Sequence, residues 1–246
     1  MFRFLRLFLF HMKVYIRNQY FLWLPIISTT TIFLLQYLTA HGYDRLDDPY
    51  LWTRSAIFGL WASATTATGS IGFQRHQGTL TYLINTGIND FMSLTALILP
   101  ASTFGLISFP LSYGLARIFH VQVTDLNFEF VLLVLLLWLS VAVMDMLIAA
   151  FFVLTPNAIV YEELIHIPLL LCSGLIGQGK FFDHLSMYTQ WGLPLVYPIR
   201  KLLSNNDASY NLWSYLLSLM IWLALAVSLG SILLRWAKKD GQGRLV

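Results

Sequence analysis

Six long apolar runs constrain this chain more than any other feature of its sequence. A helix needs about 20 apolar residues to cross the roughly 30 Å hydrocarbon core of a bilayer, and runs of this kind fill most of the 246 residues. Hydrophobic residues make up 57% of the chain and charged residues only 11%, which is too apolar for a soluble domain. The sequence therefore predicts an all-α, polytopic membrane protein with a single transmembrane domain.

The predicted spans cover residues 20–40, 51–73, 91–116, 130–152, 158–177 and 212–234. The fifth span is the weakest, because it contains Glu162, Glu163, His166 and Pro168, and a re-entrant hairpin is an alternative there. Both terminal segments are basic, and the loops that would face outward hold most of the acids. The positive-inside rule therefore favours six transmembrane helices with the N- and C-termini in the cytoplasm.

Residues 1–19 predict an amphipathic helix that precedes the first span. At about 100° per residue, Arg3, Arg6, Lys13 and Arg17 form one stripe, and an apolar face lies opposite. Such a helix suits the interface of the inner leaflet, although binding to a calmodulin-like partner fits the same pattern. Anionic membrane lipids account for the basic residues near the spans, and we expect no nucleic-acid partner.

Two further patterns concern helix packing. Gly59, Ser63, Ala67 and Ser70 recur at helical spacing in the second span, and small residues on one face let another helix approach closely. That helix belongs either to the same subunit or to a second copy. The aromatic-rich region of residues 178–211 predicts short re-entrant or interfacial helices at the outer leaflet.

Motifs that would indicate chemistry are incomplete. Residues 174–180, GLIGQGK, match the first seven positions of a phosphate-binding loop, but Phe181 stands where a Ser or Thr is needed for magnesium. Glu162, Glu163 and His166 could hold a metal on one helical turn, yet the HExxH arrangement is absent. We favour helix-end carboxylates with His166 packed within the bundle. No catalytic residue, metal site or cofactor is expected on this chain.

Asp145 is the one acid well inside an apolar span. Ionisable groups in a membrane are costly and usually face a cavity or a partner. At 1.5 Å per residue, Asp145 lies roughly 22 Å from Phe130 along the helix, nearer the predicted inner side. Two interpretations stay open: Asp145 pairs with a polar neighbour in the bundle, or it lines the substrate path and meets a cationic substrate.

A short polar segment, residues 74–90 with the sequence QRHQGTLTYLINTGIND, lies between the second and third spans. With both termini inside, this segment faces the cytoplasm. It therefore offers a docking surface to a partner outside the bilayer, and transport becomes a better expectation than catalysis.

The order of these parts resembles the membrane subunit of ABC-2 type ABC transporters, in the drug and peptide exporter branch. The resemblance runs along the whole chain. Its most specific elements are the Gly-Thr-Leu-x-Tyr-Leu motif of residues 78–83 and the Pro-x-x-x-x-Ser-Gly motif of residues 168–174. Members of the family often carry acids at the positions of Gln74 and Thr81, and this chain does not.

The resemblance implies a multi-pass permease in a bacterial cell membrane, joined to a second permease copy or a sister permease. Two cytoplasmic ATP-binding subunits would bind ATP and Mg, so ATP hydrolysis is expected on the partner chains and this chain is not an enzyme. Closure of those subunits would move the segment 74–90 and export a drug, antimicrobial peptide or other amphipathic substrate. The residues expected to couple to the ATPase are Arg75, His76, Gly78, Thr79, Leu80 and Tyr82.

Two alternatives remain. An exporter of a polysaccharide or lipid-linked glycan belongs to the same superfamily and differs little in sequence pattern. A membrane-bound enzyme or sensor without an ATPase partner is the alternative from a different class, and it requires catalytic residues that converge on the spans. A neighbouring ATPase gene favours the exporter, and its absence favours the enzyme or sensor.

Overall fold

A computed structural model describes residues 2–43, 47–79, 90–155, 158–176, 180–204 and 210–239. These residues contain helices and no strand, which confirms the all-α prediction. A short 3-10 helix, Phe104–Ile107, joins the fourth and fifth of the ten α-helices in these residues. The α-helices are α1 (Phe2–Arg17), α2 (Gln19–Gly42), α3 (Leu51–His76), α4 (Asp90–Thr103), α5 (Ser108–Ile118), α6 (Phe128–Leu154), α7 (Ala158–Cys172), α8 (Lys180–Thr189), α9 (Val196–Leu203) and α10 (Leu212–Lys239).

Among the described residues, four helical segments are long and apolar enough to cross a membrane: Gln19–Gly42, Phe91–Ile118, Phe128–Leu154 and Leu212–Trp236. They coincide with the first, third, fourth and sixth predicted spans, and they indicate a membrane protein. The second predicted span is helical throughout and the fifth is helical as far as Cys172, but neither belongs to this group. Helix α3 has sufficient length, 26 residues, but a more polar sequence, and α7 has only 15 residues.

Helix α3 runs through the centre of the bundle. Of its 26 residues, 19 are buried, and it packs against α2, α4, α5, α6 and α7. Several of its hydroxyl groups donate hydrogen bonds to carbonyls three or four residues earlier in the same helix: Ser55, Thr65, Thr66, Thr68 and Ser70. Because these polar groups are satisfied within the helix, a sequence of low hydropathy can be enclosed on all sides by other helices.

The small residues of α3 lie where other helices approach most closely. A side chain at Gly59 would collide with Thr29 of α2 and Ser108 of α5. The hydroxyl of Ser63 donates a hydrogen bond of 2.8 Å to the carbonyl of Ala101 in α4. The predicted close approach is confirmed, and the approaching helices belong to the same chain.

Two apolar clusters lie at opposite ends of α3. At its C-terminal end, which we name the Tyr15 end, five helices meet through Tyr15, Phe21, Ile71, Phe152 and Leu234. At its N-terminal end, the Trp52 end, the cluster consists of Phe33, Leu51, Trp52, Ala116 and Val121. The first helix and the last helix therefore both contribute to the Tyr15 end, while successive long helices run in alternating directions between the two ends.

Candidate functional site

Helix α3 ends within the predicted coupling segment, and its end is a Schellman motif. The amide of Gly78 donates to the carbonyl of Arg75 at 2.9 Å, and the amide of Thr79 donates to the carbonyl of Gln74 at 3.0 Å. Gly78 has a φ of +69°, a left-handed conformation that favours glycine at a helix C-terminus. Gly78 therefore terminates the helix and redirects the chain toward residues 80–89.

The last turn of α3 packs against α1. Gln74 is buried, and its side-chain oxygen accepts a hydrogen bond from the hydroxyl of Thr79. The hydroxyl of Tyr15, in α1, lies beside Ser70 and Gln74, and burial raises the pKa of this tyrosine well above its ordinary value. These contacts fix the start of the predicted docking surface to the N-terminal helix.

Arg75 joins the end of α3 to the end of α6. Its Nη2 atom donates to the carbonyls of Val153 at 2.5 Å and Phe152 at 3.4 Å, and its Nη1 atom donates to the carbonyl of Thr155. The last carbonyls of a helix have no partner within that helix, and they carry the negative end of the helix dipole. The guanidinium group of Arg75 supplies both the donors and the positive charge that this end of α6 requires.

The remaining predicted coupling residues divide into two groups. His76 is exposed on the last turn of α3. Leu80 and Tyr82 lie outside the described residues. The structure therefore brings Arg75, Gly78 and Thr79 together at one helix terminus and leaves His76 accessible beside them.

Asp145 contacts a histidine of the next helix. Its Oδ1 atom lies 3.5 Å from Nε2 of His166 in α7, and each of the two residues is only 1% exposed. Nδ1 of the same ring lies 2.8 Å from the carbonyl oxygen of Glu162, so an N–H at Nδ1 donates to this carbonyl. Trp61 of α3 packs edge-on against the ring at 5.5 Å. The prediction that His166 packs within the bundle is confirmed.

Glu162 extends this cluster toward α3. The residue is 4% exposed, and its carboxyl group rests against the backbone of Gly69, where any side chain would collide with it. Glu163, which was considered beside Glu162 as a metal ligand, is exposed. In the described part of the chain, no three His, Cys, Asp or Glu residues are grouped so that they could hold a metal ion.

The Pro-x-x-x-x-Ser-Gly motif ends α7. The hydroxyl oxygen of Ser173 accepts a hydrogen bond of 3.2 Å from the amide of Leu175, and Gly174 lies directly against the guanidinium of Arg200 in α9. Arg200 forms an ion pair of 2.8 Å with Asp183 in α8. The short helices predicted between residues 178 and 211 are present as α8 and α9, and Arg200 connects both of them to the end of α7.

Sequence reasoning missed two of these relationships. It left the partner of Asp145 open, although Asp145 and His166 were both recognised as ionisable residues inside predicted spans, and such residues tend to pair with one another. It did not anticipate that the guanidinium group of Arg75, a predicted coupling residue, binds the end of α6. The sequence contains no local signal for that second contact.

Comparison with known proteins adds no relative. No protein-family model, no curated protein and no solved structure matches this chain. A functional proposal for this chain therefore depends on its own residues and their arrangement.

Proposed function

We propose that this chain is the permease subunit of an ATP-driven exporter of the ABC-2 type, with six membrane-spanning helices and both termini in the cytoplasm. Helices α3 and α7 are the second and fifth spans in this arrangement, and the Tyr15 end faces the cytoplasm. The four apolar helices support this proposal. So does the meeting of α1 and α10 at one end of the bundle, because an even number of crossings returns the chain to its starting side.

The observation that carries the proposal is the attachment of α3 to α6 by Arg75. The end of α3 continues directly into the segment that is expected to bind the ATPase. A partner that displaces this segment also displaces the end of α3, and the guanidinium of Arg75 transmits the displacement to α6. Since α6 carries Asp145 in the interior, movement at the docking surface reaches the centre of the bundle.

Helix α1 fits the role of an interfacial helix beside this docking surface. Its buried residues, His11 and Tyr15, lie four positions apart and face the bundle. Its basic residues and several large apolar residues are exposed: Arg3, Leu5, Arg6, Leu9, Phe10, Lys13, Ile16 and Arg17. In the inner leaflet, the apolar group would contact acyl chains and the basic group would contact anionic headgroups.

In the working transporter, two ATP-binding subunits carry ATP and Mg, and this permease pairs with a second copy or a sister permease. Binding of ATP closes the two subunits on each other and moves the segment that follows α3. The spans then change their relative orientation and release an amphipathic substrate, such as a drug or an antimicrobial peptide, on the outer side.

The docking surface can be tested with a bulky label in place of a disruptive mutation. His76→Cys, in a Cys172→Ser background, places a thiol on the exposed last turn of α3, and a large maleimide–polyethylene glycol reagent then blocks the surface around it. We expect the unlabelled protein to co-purify with the ATPase encoded beside it and the labelled protein to lose this partner. The matched control is Arg117→Cys, which is exposed on α5, away from the last turn of α3.

Labelled Arg117→Cys should retain the ATPase. If labelled His76→Cys also retains it, the last turn of α3 is not a docking surface and the coupling proposal is wrong. The same two thiols report orientation, because a membrane-impermeant maleimide applied to intact cells should modify Arg117→Cys and leave His76→Cys unmodified. The reverse pattern would contradict a cytoplasmic Tyr15 end.

A further inference from the structure

Three ionisable side chains from two neighbouring helices meet inside the bundle. Asp145 of α6 and Glu162 and His166 of α7 are each less than 5% exposed. Three polar atoms of this cluster have no hydrogen-bond partner among the described residues: Oδ2 of Asp145, Oε1 of Glu162 and Nε2 of His166. Nε2 of His166 lies 3.5 Å from Oδ1 of Asp145. Buried polar groups are normally satisfied, so these free atoms point to a bound ligand or proton.

The charge of the cluster decides which ligand it needs. In water at neutral pH, the two carboxyl groups are ionised and the imidazole is mostly neutral, which gives a net charge of −2. A net charge of this size is strongly disfavoured in a buried site. The cluster is neutral only when its three groups share two protons.

Within the described part of the chain, the surroundings of the cluster do not supply the missing positive charge. The charged groups that act on Glu162 are His166, Glu163 and Asp145, of which only His166 can be positive. Helix α2 contributes the phenol of Tyr20, which faces Glu162 and Glu163. Helix α3 contributes Trp61 and Gly69, which are uncharged. Helix α8 meets α7 at the opposite end, where the hydroxyl of Thr189 donates to the carbonyl of Cys172 at 2.8 Å.

We propose that Asp145, Glu162 and His166 form an internal proton-binding site that holds about two protons more at neutral pH than the same side chains hold in water. The inference does not depend on the exporter assignment. One proton makes the imidazole of His166 positive, with Nδ1–H on the carbonyl of Glu162 and Nε2–H facing the Asp145 carboxylate. The second proton neutralises the carboxyl group of Glu162 against the backbone of Gly69. The three groups titrate as a unit.

The sign of the pH dependence follows from this proton count. The folded protein holds more protons than the unfolded chain, so the contribution of the site is fully present at low pH and is lost as pH rises. Each extra proton changes the unfolding equilibrium constant by about tenfold per pH unit. Deprotonation of Glu162 leaves an uncompensated negative charge against the backbone of Gly69. We therefore expect α7 to separate from α3 near Gly69 when Glu162 loses its proton.

The first test measures thermal unfolding of the protein in lipid nanodiscs from about pH 7 to about pH 9, above the range in which an ordinary histidine titrates. We expect the unfolding temperature of the natural protein to fall as pH rises. In Glu162→Gln, which cannot bind the second proton, this fall should be about half as steep on the free-energy scale, since one of two protons is removed. The matched control is Glu163→Gln, which removes the same charge from the exposed neighbouring position and should parallel the natural protein. Equal pH dependence of Glu162→Gln and Glu163→Gln would overturn the proposal.

The second test needs no variant, so it remains decisive even if Glu162→Gln does not fold. Exposed carboxyl groups are ionised at neutral pH, and a buried neutral carboxyl group is distinguished by its C=O stretching band in the infrared spectrum. We expect this band in the natural protein at neutral pH and its disappearance on titration to alkaline pH. A spectrum at neutral pH that contains only ionised carboxylates would show that Glu162 holds no proton, and the proposal would be wrong.

Discussion

The guanidinium of Arg75 donates a hydrogen bond of 2.5 Å to the carbonyl of Val153 and so joins the last turn of α3 to the last turn of α6. The two residues are 78 positions apart in the sequence. Helix α3 also packs against α2, α4, α5, α7 and α9, so a displacement of its C-terminus is resisted throughout the bundle. Arg75 caps α6, and in the proposed transporter it connects the docking surface to the interior.

Arg75→Ala should destabilise the protein because it removes the guanidinium donors from the carbonyls of Val153 and Thr155 at the end of α6. Loss of one partner from a buried hydrogen bond costs about 1–3 kcal/mol, and we expect a decrease of this size in the free energy of unfolding. Arg75→Lys should lose less, since it keeps the charge but lacks the planar fork that reaches several carbonyls. Chemical denaturation in detergent measures both effects. His76→Ala, on the exposed side of the same turn, is the control, and equal stability of Arg75→Ala and His76→Ala would contradict the capping role.

Gly78→Ala should also destabilise the protein, but for a conformational reason. A side chain in the left-handed region costs about 1–2 kcal/mol, and Gly78 has a φ of +69°. The contrast is Gly114→Ala in α5, where a new Cβ has no heavy atom within 4 Å and the substitution should stabilise the helix by up to about 1 kcal/mol. Denaturation midpoints of the two variants should move in opposite directions. A stable Gly78→Ala variant would imply that the end of α3 does not adopt the Schellman motif.

The four apolar helices were predictable because hydropathy over the length of a span is a local property of the sequence. The close packing around Gly59 and Ser63 was predictable for the same reason, since the spacing of small residues follows the helical repeat. A glycine two residues after the last residue of a helix is also a local signal for the end of that helix, and it gives Gly78 a structural role beside the predicted docking role.

The contacts that connect helices were not predictable in this way. The approach of Asp145 to His166 depends on how α6 and α7 are rotated about their axes, and neither sequence segment specifies this rotation by itself. The hydrogen bonds of Arg75 depend on the ends of α3 and α6 lying at the same level in the bundle. The central position of α3 likewise arises from the whole bundle, because the composition of one helix does not specify how many other helices surround it.

His11 should make the protein less stable in acid. The residue is 3% exposed, neither ring nitrogen has a hydrogen-bond partner among the described residues, and burial lowers its pKa from 6.5 to about 4. The unfolded chain therefore binds a proton in the window between these two values and the folded protein does not, so stability is present above pH 6.5 and falls as pH decreases toward about 4.

His11→Phe keeps an aromatic ring between Phe10 and Tyr15 and removes the titrating group. Thermal unfolding in nanodiscs at several acidic pH values should show a loss of stability in the natural protein that is reduced in the variant. The free energy of unfolding of the natural protein, relative to that of His11→Phe, should fall by up to about 1.4 kcal/mol for each pH unit between the two pKa values of His11. Parallel curves for the two proteins would mean that His11 is accessible to protons in the folded state.

The last prediction concerns Asp145, for which two roles are open: a structural contact with His166, or a place on the substrate path. Substitutions that keep or remove a polar group beside His166 distinguish the two roles. Asp145→Asn keeps the shape of the side chain and a hydrogen-bonding group beside Nε2 of His166, while Asp145→Leu leaves the imidazole without a polar neighbour. If the role is structural, Asp145→Asn should accumulate in the membrane like the natural protein and Asp145→Leu should accumulate less. If Asp145 also lines the substrate path, Asp145→Asn should reduce export of cationic substrates more than export of neutral ones at equal protein level. Equal export of both classes by Asp145→Asn would assign this residue to the interior contact with His166 and remove it from the substrate path.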